Sequence, residues 1–114
     1  MKYSVFIPIR TRGGLNAREH HFARSRRVKA EREAAGWVTP RSFPLPCVVT
    51  LTRLSAGTPD SHDNLRGCLK GIVDGIADRF GIKDNDPRIE WRYAQRKCSP
   101  AQYGVQIELE SVPC

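Results

Sequence analysis

The stretch Asp63–Phe80, DNLRGCLKGIVDGIADRF, imposes the strictest pattern in the chain. Leu65, Cys68, Leu69, Ile72, Val73, Ile76, Ala77 and Phe80 recur at spacings of three and four. That period belongs to a helix burying one continuous apolar face. At about 100° per residue, Asp63, Gly67, Lys70 and Asp74 gather on the opposite side. Gly67, Gly71 and Gly75 lie on that polar side or its flanks. Each weakens a helix by about 1 kcal/mol relative to Ala. Either they admit another backbone or a ligand at close range, or the helix tolerates them. Gly81 is the expected stop.

Acids bracket this helix. Asp60 and Asp63 lie at its start, and Asp84 and Asp86 lie just after its end. A helix of about 18 residues is roughly 27 Å long. The two groups can therefore meet only if the loop IKDNDP folds back, or if they meet across a dimer. Each acid also has an ordinary structural use. Asp60, Ser61 and Asp63 are good N-cap residues, and Asp84, Asn85 and Asp86 before Pro87 suit a turn. Lys70 and Asp74 have the spacing of an i, i+4 ion pair.

The flanking segments predict further elements. Tyr3–Ile9 (YSVFIPI) reads as a strand, with Pro8 at its end or edge. Asn16 caps a helix running to Ala35 and stopped by Gly36. Trp37–Pro46 is a proline-rich connector, packed by Trp37 and Phe43. Cys47–Leu54 (CVVTLTRL) is a strand. Arg88–Arg96 and Tyr103–Glu110 each alternate apolar and polar residues, and the short KCSPAQ link predicts an antiparallel hairpin. The expected fold is a single α+β domain over residues 1–114. It has a small mixed or antiparallel sheet and two helices in the order β-α-β-α-β-β.

Charge is unevenly spread. The chain has 19 Lys+Arg against 12 Asp+Glu, a net charge of +7. Between Arg10 and Glu33, the cations Arg10, Arg12, Arg18, Arg24, Arg26, Arg27, Lys29 and Arg32 face only Glu19, Glu31 and Glu33. Such a helix is either a solvated face with internal ion pairs or a surface that tracks phosphates; the density of the cluster favours phosphates. No apolar run approaches the roughly 20 residues of a membrane span. Cys47, Cys68, Cys98 and Cys114 are far apart, without zinc-ligand spacing. With no secretory leader apparent, reduced thiols in a cytoplasmic protein are expected, and Cys68 belongs to the helix core.

Carboxylates beside a basic surface suit phosphoryl chemistry with a hard divalent ion such as Mg²⁺ or Mn²⁺. Asp60, Asp63, Asp84 and Asp86 are the candidate ligands. Lys70 is a candidate for stabilising charge on phosphate. His62 is either an acid/base group or polar surface, and the neighbours His20 and His21 point to different helix faces. The chain has no P-loop, GxGxxG or Ser/His/Asp elbow.

Asp63-Asn64-Leu65, the string KGIVDGI and the loop DND before a strand together resemble the RusA-like Holliday junction resolvases, in a divergent phage or prophage branch. The motifs span roughly Thr58–Tyr93, and DPRIEWRYAQRK fits the same branch. The resemblance implies a homodimeric α+β endonuclease in a bacterial cytoplasm. It implies Mg²⁺-dependent cleavage of branched DNA and binding of branched or duplex DNA. Asp63 and Asn64 match the end of the family's DxDN motif, Asp86 best matches its later acid, and Asp84 is the alternative. Two positions depart. The first acid of DxDN is displaced by one residue to Asp60. The helix lysine is Lys70, a turn beyond its usual place at Gly67. The resemblance thus assigns Asp60, Asp63, Asp84 and Asp86 to metal binding and Asp60, Asp63, Asp86 and Lys70 to catalysis. The competing readings are a non-catalytic nucleic-acid-binding protein and a small structural protein that assembles through its hairpin.

Overall fold

The structure, a computed structural model, describes residues 1–9, 21–55, 62–99 and 102–112, with side chains left out at 21–25, 27 and 62–64. Its elements are β1 (Lys2–Ile7), α1 (His21–Val38), β2 (Cys47–Ser55), α2 (His62–Cys68), α3 (Lys70–Phe80), β3 (Ile89–Lys97) and β4 (Gly104–Ser111). The class is α+β with a mixed sheet in the expected element order, except that the second helix is divided at Leu69.

The four strands form one sheet in the order β1-β4-β2-β3. β4 runs antiparallel to both β1 and β2, whereas β3 lies parallel to β2. The predicted β3–β4 hairpin therefore does not form, because β2 sits between the two strands. The physical reason lies in β2 itself. Its row Cys47, Val49 and Leu51 is at most 1% exposed, and a central position flanks that row with residues of β4 and β3 on either side. The link 98–103 has to pass two strand spacings, about 10 Å, which is within its reach at about 3.3–3.6 Å per residue. The register aligns apolar rows across the sheet. Tyr3, Leu109, Val49 and Trp91 form one row, and Val5, Ile107, Leu51 and Tyr93 form the next.

Leu65, Cys68, Leu69, Ile72, Val73 and Ile76 join these rows in one core. The apolar face read from the sequence is therefore the buried face. At Leu69 the backbone turns to φ −100°, ψ 4°, which separates α2 from α3. The break is slight: the Leu69 amide is shared between the Leu65 and Arg66 carbonyls, each at 3.2 Å. Such sharing tightens one turn without unwinding the helix.

α1 lies along α3. A methyl group added at Gly75 would come 2.3 Å from the Arg32 carbonyl oxygen, and one at Gly71 would come 2.9 Å from the Glu31 carboxylate. Both glycines thus exist for helix-to-helix contact, whereas Gly67 has nothing within 4 Å and is merely tolerated. Two expectations for this region fail. The helix does not stop at Gly36 but continues to Val38, where Thr39 caps the Ala35 carbonyl through both its amide (3.1 Å) and its hydroxyl (2.6 Å). Pro40, which cannot donate and disfavours helix before it, is the terminator. Trp37, expected to pack the connector, is 84% exposed, while Phe43 is buried as expected. No described helix is long and apolar enough to cross a membrane.

Candidate functional site

The loop after α3 does fold back. Gly81 adopts the left-handed conformation (φ 71°), and its amide and that of Ile82 return to the Asp78 and Ala77 carbonyls. This Schellman-type end reverses the chain. Ile82 packs against the core, and Trp91 on β3 donates its indole N–H to the Asp84 carbonyl at 2.7 Å. The loop is thereby drawn along the flank of α3 towards its first turn. There the Lys70 ammonium lies 2.7 Å from the Asp84 carboxylate and 3.1 Å from that of Asp74. The i, i+4 pair exists, but it is half of a three-membered cluster. The meeting is possible because Lys70 stands only 11 residues before the reversal at Gly81, a span that the loop and the long lysine side chain together cover.

The electrostatics follow from the contacts. The hydrogen bond to Asp84 raises the Lys70 pKa, and the same bond holds the Asp84 carboxyl below its ordinary range. Nearby, the Arg66 guanidinium on α2 stands 5.6 Å from the Tyr93 ring centre on β3, a cation–π distance. Burial pushes the Tyr93 hydroxyl upward, with Arg66 and Lys70 opposing.

Asp86 does something else. Its Oδ1 accepts from the Arg88 amide at 2.9 Å and from Nε at 3.0 Å, and its Oδ2 accepts from Nη2 at 2.8 Å. Arg88 holds its carboxyl down to about 2. This is a local turn clamp within the loop. Of the two acids in DND, Asp84 faces the helix lysine and Asp86 is committed to Arg88.

The backbone of α1 brings its basic turns to the same end. α1 and α3 run parallel, with Val28 and Glu31 at the level of Gly71, Arg32 at Gly75, and Thr39 accepting from Arg79 Nε at 3.1 Å. The turns 21–27 therefore extend about 10 Å beyond Gly71, past the start of α3. Arg24, Arg26 and Arg27 belong to those turns, and Arg26 is exposed. Lys29 is exposed one turn on, while Arg32 forms an ion pair with Asp78. Arg10, Arg12, Arg18, His20 and Asp60 lie outside the described residues. Asp63 and His62 begin α2, but their side chains are not described.

For a hard divalent ion, the chemistry of the donor set decides. Asp84 offers a carboxylate that is 43% exposed, charged at neutral pH and beside a helix start, which fits Mg²⁺ or Mn²⁺. Asp86 fits less well, because both its oxygens already accept from Arg88. Among the described residues, no three His, Cys, Asp or Glu side chains form a metal-holding group. Sequence reasoning missed the roles of Arg66, Trp91 and Tyr93. An indole on the inward side of an alternating strand next to the acidic loop was the available signal for Trp91. No protein-family model matches the chain, and no curated protein matches it either.

Proposed function

We propose that the chain is a metal-dependent endodeoxyribonuclease of the RusA-like kind, acting as a homodimer on four-way DNA junctions. One observation carries the reading: Lys70, the folded-back Asp84 and the basic turns of α1 share one end of the molecule. A phosphate approaching that end meets cations for binding and carboxylates for chemistry, the juxtaposition such hydrolysis needs.

In this reading Asp63 and Asp84 hold a Mg²⁺ ion, with Asp60 and Asp86 as further acids. The ion supplies Lewis acidity and an activated water. The chain's own groups do the remainder. Arg24, Arg26, Arg27 and Lys29 hold the DNA backbone. Lys70, kept protonated by Asp74 and Asp84, places a fixed positive charge beside the phosphate. Trp91 and the Gly81 reversal fix the loop that carries Asp84. Compared with the match on spacing alone, the Lys70 contact favours Asp84 over Asp86 as the loop's working acid.

The test is incubation of purified protein with a synthetic four-way junction and Mg²⁺. Nicked product is expected, and Asp63→Asn should lose cleavage while retaining junction binding. A specific observation favours a second reading, a non-catalytic DNA-binding protein: every described acid of the loop is already engaged by a cation of the same chain. That reading predicts junction binding without cutting in either Mg²⁺ or Mn²⁺. The third reading, a small structural protein that assembles, would need an interface other than a β3–β4 hairpin, because β2 lies between those strands.

A further inference from the structure

A second feature lies further along the α1–α3 pair. Between the helices is a cavity of about 670 Å³, within the size range of small-ligand sites. Trp37 lines it and is the most exposed large apolar side chain described, at 84%. Three cations, Lys29, Arg32 and Arg79, line it with two acids, Glu33 and Asp78. Asp78 is already bound by Arg32, and Arg79 is steadied by its bond to the Thr39 carbonyl. The balance that remains is cationic, on a chain whose net charge is +7.

An exposed indole in cationic surroundings has a specific use. Bases of unpaired strands stack on aromatic rings while Lys and Arg hold the adjoining phosphates. Trp and Arg also mark protein-docking hot spots, so a second copy of the chain is the competing occupant that the test below has to separate. The other large exposed apolar residues, Met1 before β1, Phe6 within it and Val112 after β4, do not line this cavity. We propose that the Trp37 cavity is a stacking site for an unpaired nucleotide of a DNA strand. Its far wall, at Arg79, lies roughly 13 Å along α3 from Lys70, while Lys29 at its near edge borders the basic turns of α1. It is thus a second contact point, continuous with the basic turns through Lys29 but holding neither Lys70 nor Asp84. The inference rests on the nucleic-acid reading of the chain but not on catalysis.

Because Trp37 is exposed, its replacement leaves the core intact. The experiment measures anisotropy of a labelled short oligothymidylate at low salt, with EDTA present, against wild type, Trp37→Ala and Trp37→Phe. A matched abasic strand keeps the phosphates and removes the bases. Trp37→Ala is expected to bind the intact strand roughly tenfold more weakly, the size of one lost base stack. Trp37→Phe should keep most of the affinity. Wild type should bind the abasic strand about as weakly as Trp37→Ala binds the intact one, and the intact strand should quench wild-type indole fluorescence. Equal wild-type affinity for the two strands would overturn the proposal. So would a Trp37→Ala protein that binds the intact strand normally but loses self-association in sedimentation, since a second copy would then be the occupant. A junction that is never cut leaves this metal-free titration readable. A flat titration beside normal junction cleavage removes the Trp37 site alone.

Discussion

Lys70 Nζ and the Asp84 carboxylate, 14 residues apart in sequence, lie 2.7 Å from each other across the start of α3. The contact ties the reversal after Gly81 to the polar side of the helix. If Lys70 stabilises charge developing on phosphate, Lys70→Ala should lower junction cleavage by about 10²-fold, the scale of one lost stabilising donor. Junction affinity should change less than tenfold. Parallel cleavage and gel-shift titrations check this, and equal losses in both would make Lys70 a binding residue only.

The helix contact gives opposite signs at two glycines. In Gly75→Ala the new methyl would meet the Arg32 carbonyl oxygen at 2.3 Å and Ala35 Cβ at 2.9 Å, so α1 has to move away. A destabilisation of about 1–3 kcal/mol is expected from such overpacking. In Gly67→Ala nothing lies within 4 Å, and a gain of about 0.5–1 kcal/mol is expected from helix propensity. Urea unfolding of both variants measures the difference.

Acid unfolding should report the Asp86 clamp. Its folded pKa is lowered from 3.8 to about 2 by Arg88. A lowered carboxyl pKa stabilises the fold above the unfolded value, and that stability is lost as pH falls through the folded value. The melting temperature of wild type should therefore drop between about pH 4 and 2. Asp86→Asn should show a shallower drop over the same window. Identical pH profiles would mean that the clamp is not maintained in solution.

Binding should be salt-dependent in proportion to the phosphates engaged. Arg26→Ala and Lys29→Ala each remove an exposed cation of α1. Each should weaken junction and duplex binding alike and reduce the slope of log affinity against log salt by about 1. Fluorescence anisotropy across a salt series measures this, and unchanged slopes would place the DNA elsewhere.

What the sequence made legible was the face of each element more than its neighbours. Periodicity identified Leu65, Cys68, Leu69, Ile72, Val73 and Ile76 as core, because repetition at helical spacing leaves few alternatives. Alternation in Ile89–Lys97 and Gly104–Ser111 identified two strands, but it does not say which strand lies alongside. In the sheet β2 takes the place between them, and the hairpin was lost. Gly36 looked like a helix stop because glycine usually ends helices, yet the Pro40 break lies further on. The Asp84–Lys70 contact depends on a left-handed Gly81 and on the grip of Trp91, both effects of tertiary packing. Asp86 matched on spacing, but a neighbouring arginine, Arg88, claims it. The basic helix was legible as charge, whereas its parallel placement beside α3 needed the close fit at Gly71 and Gly75.

Cleavage at this end of the molecule and the identity of the loop acid that takes part are tested together. The most direct measurement is Mg²⁺-dependent cleavage of a labelled four-way junction by wild type, Asp84→Asn and Asp86→Asn, with junction affinity measured alongside. Nicking by wild type is predicted, with a loss of about 10²-fold or more in Asp84→Asn at little-changed affinity, and most activity kept in Asp86→Asn. Wild-type protein that binds the junction yet leaves it intact in both Mg²⁺ and Mn²⁺ would contradict the account.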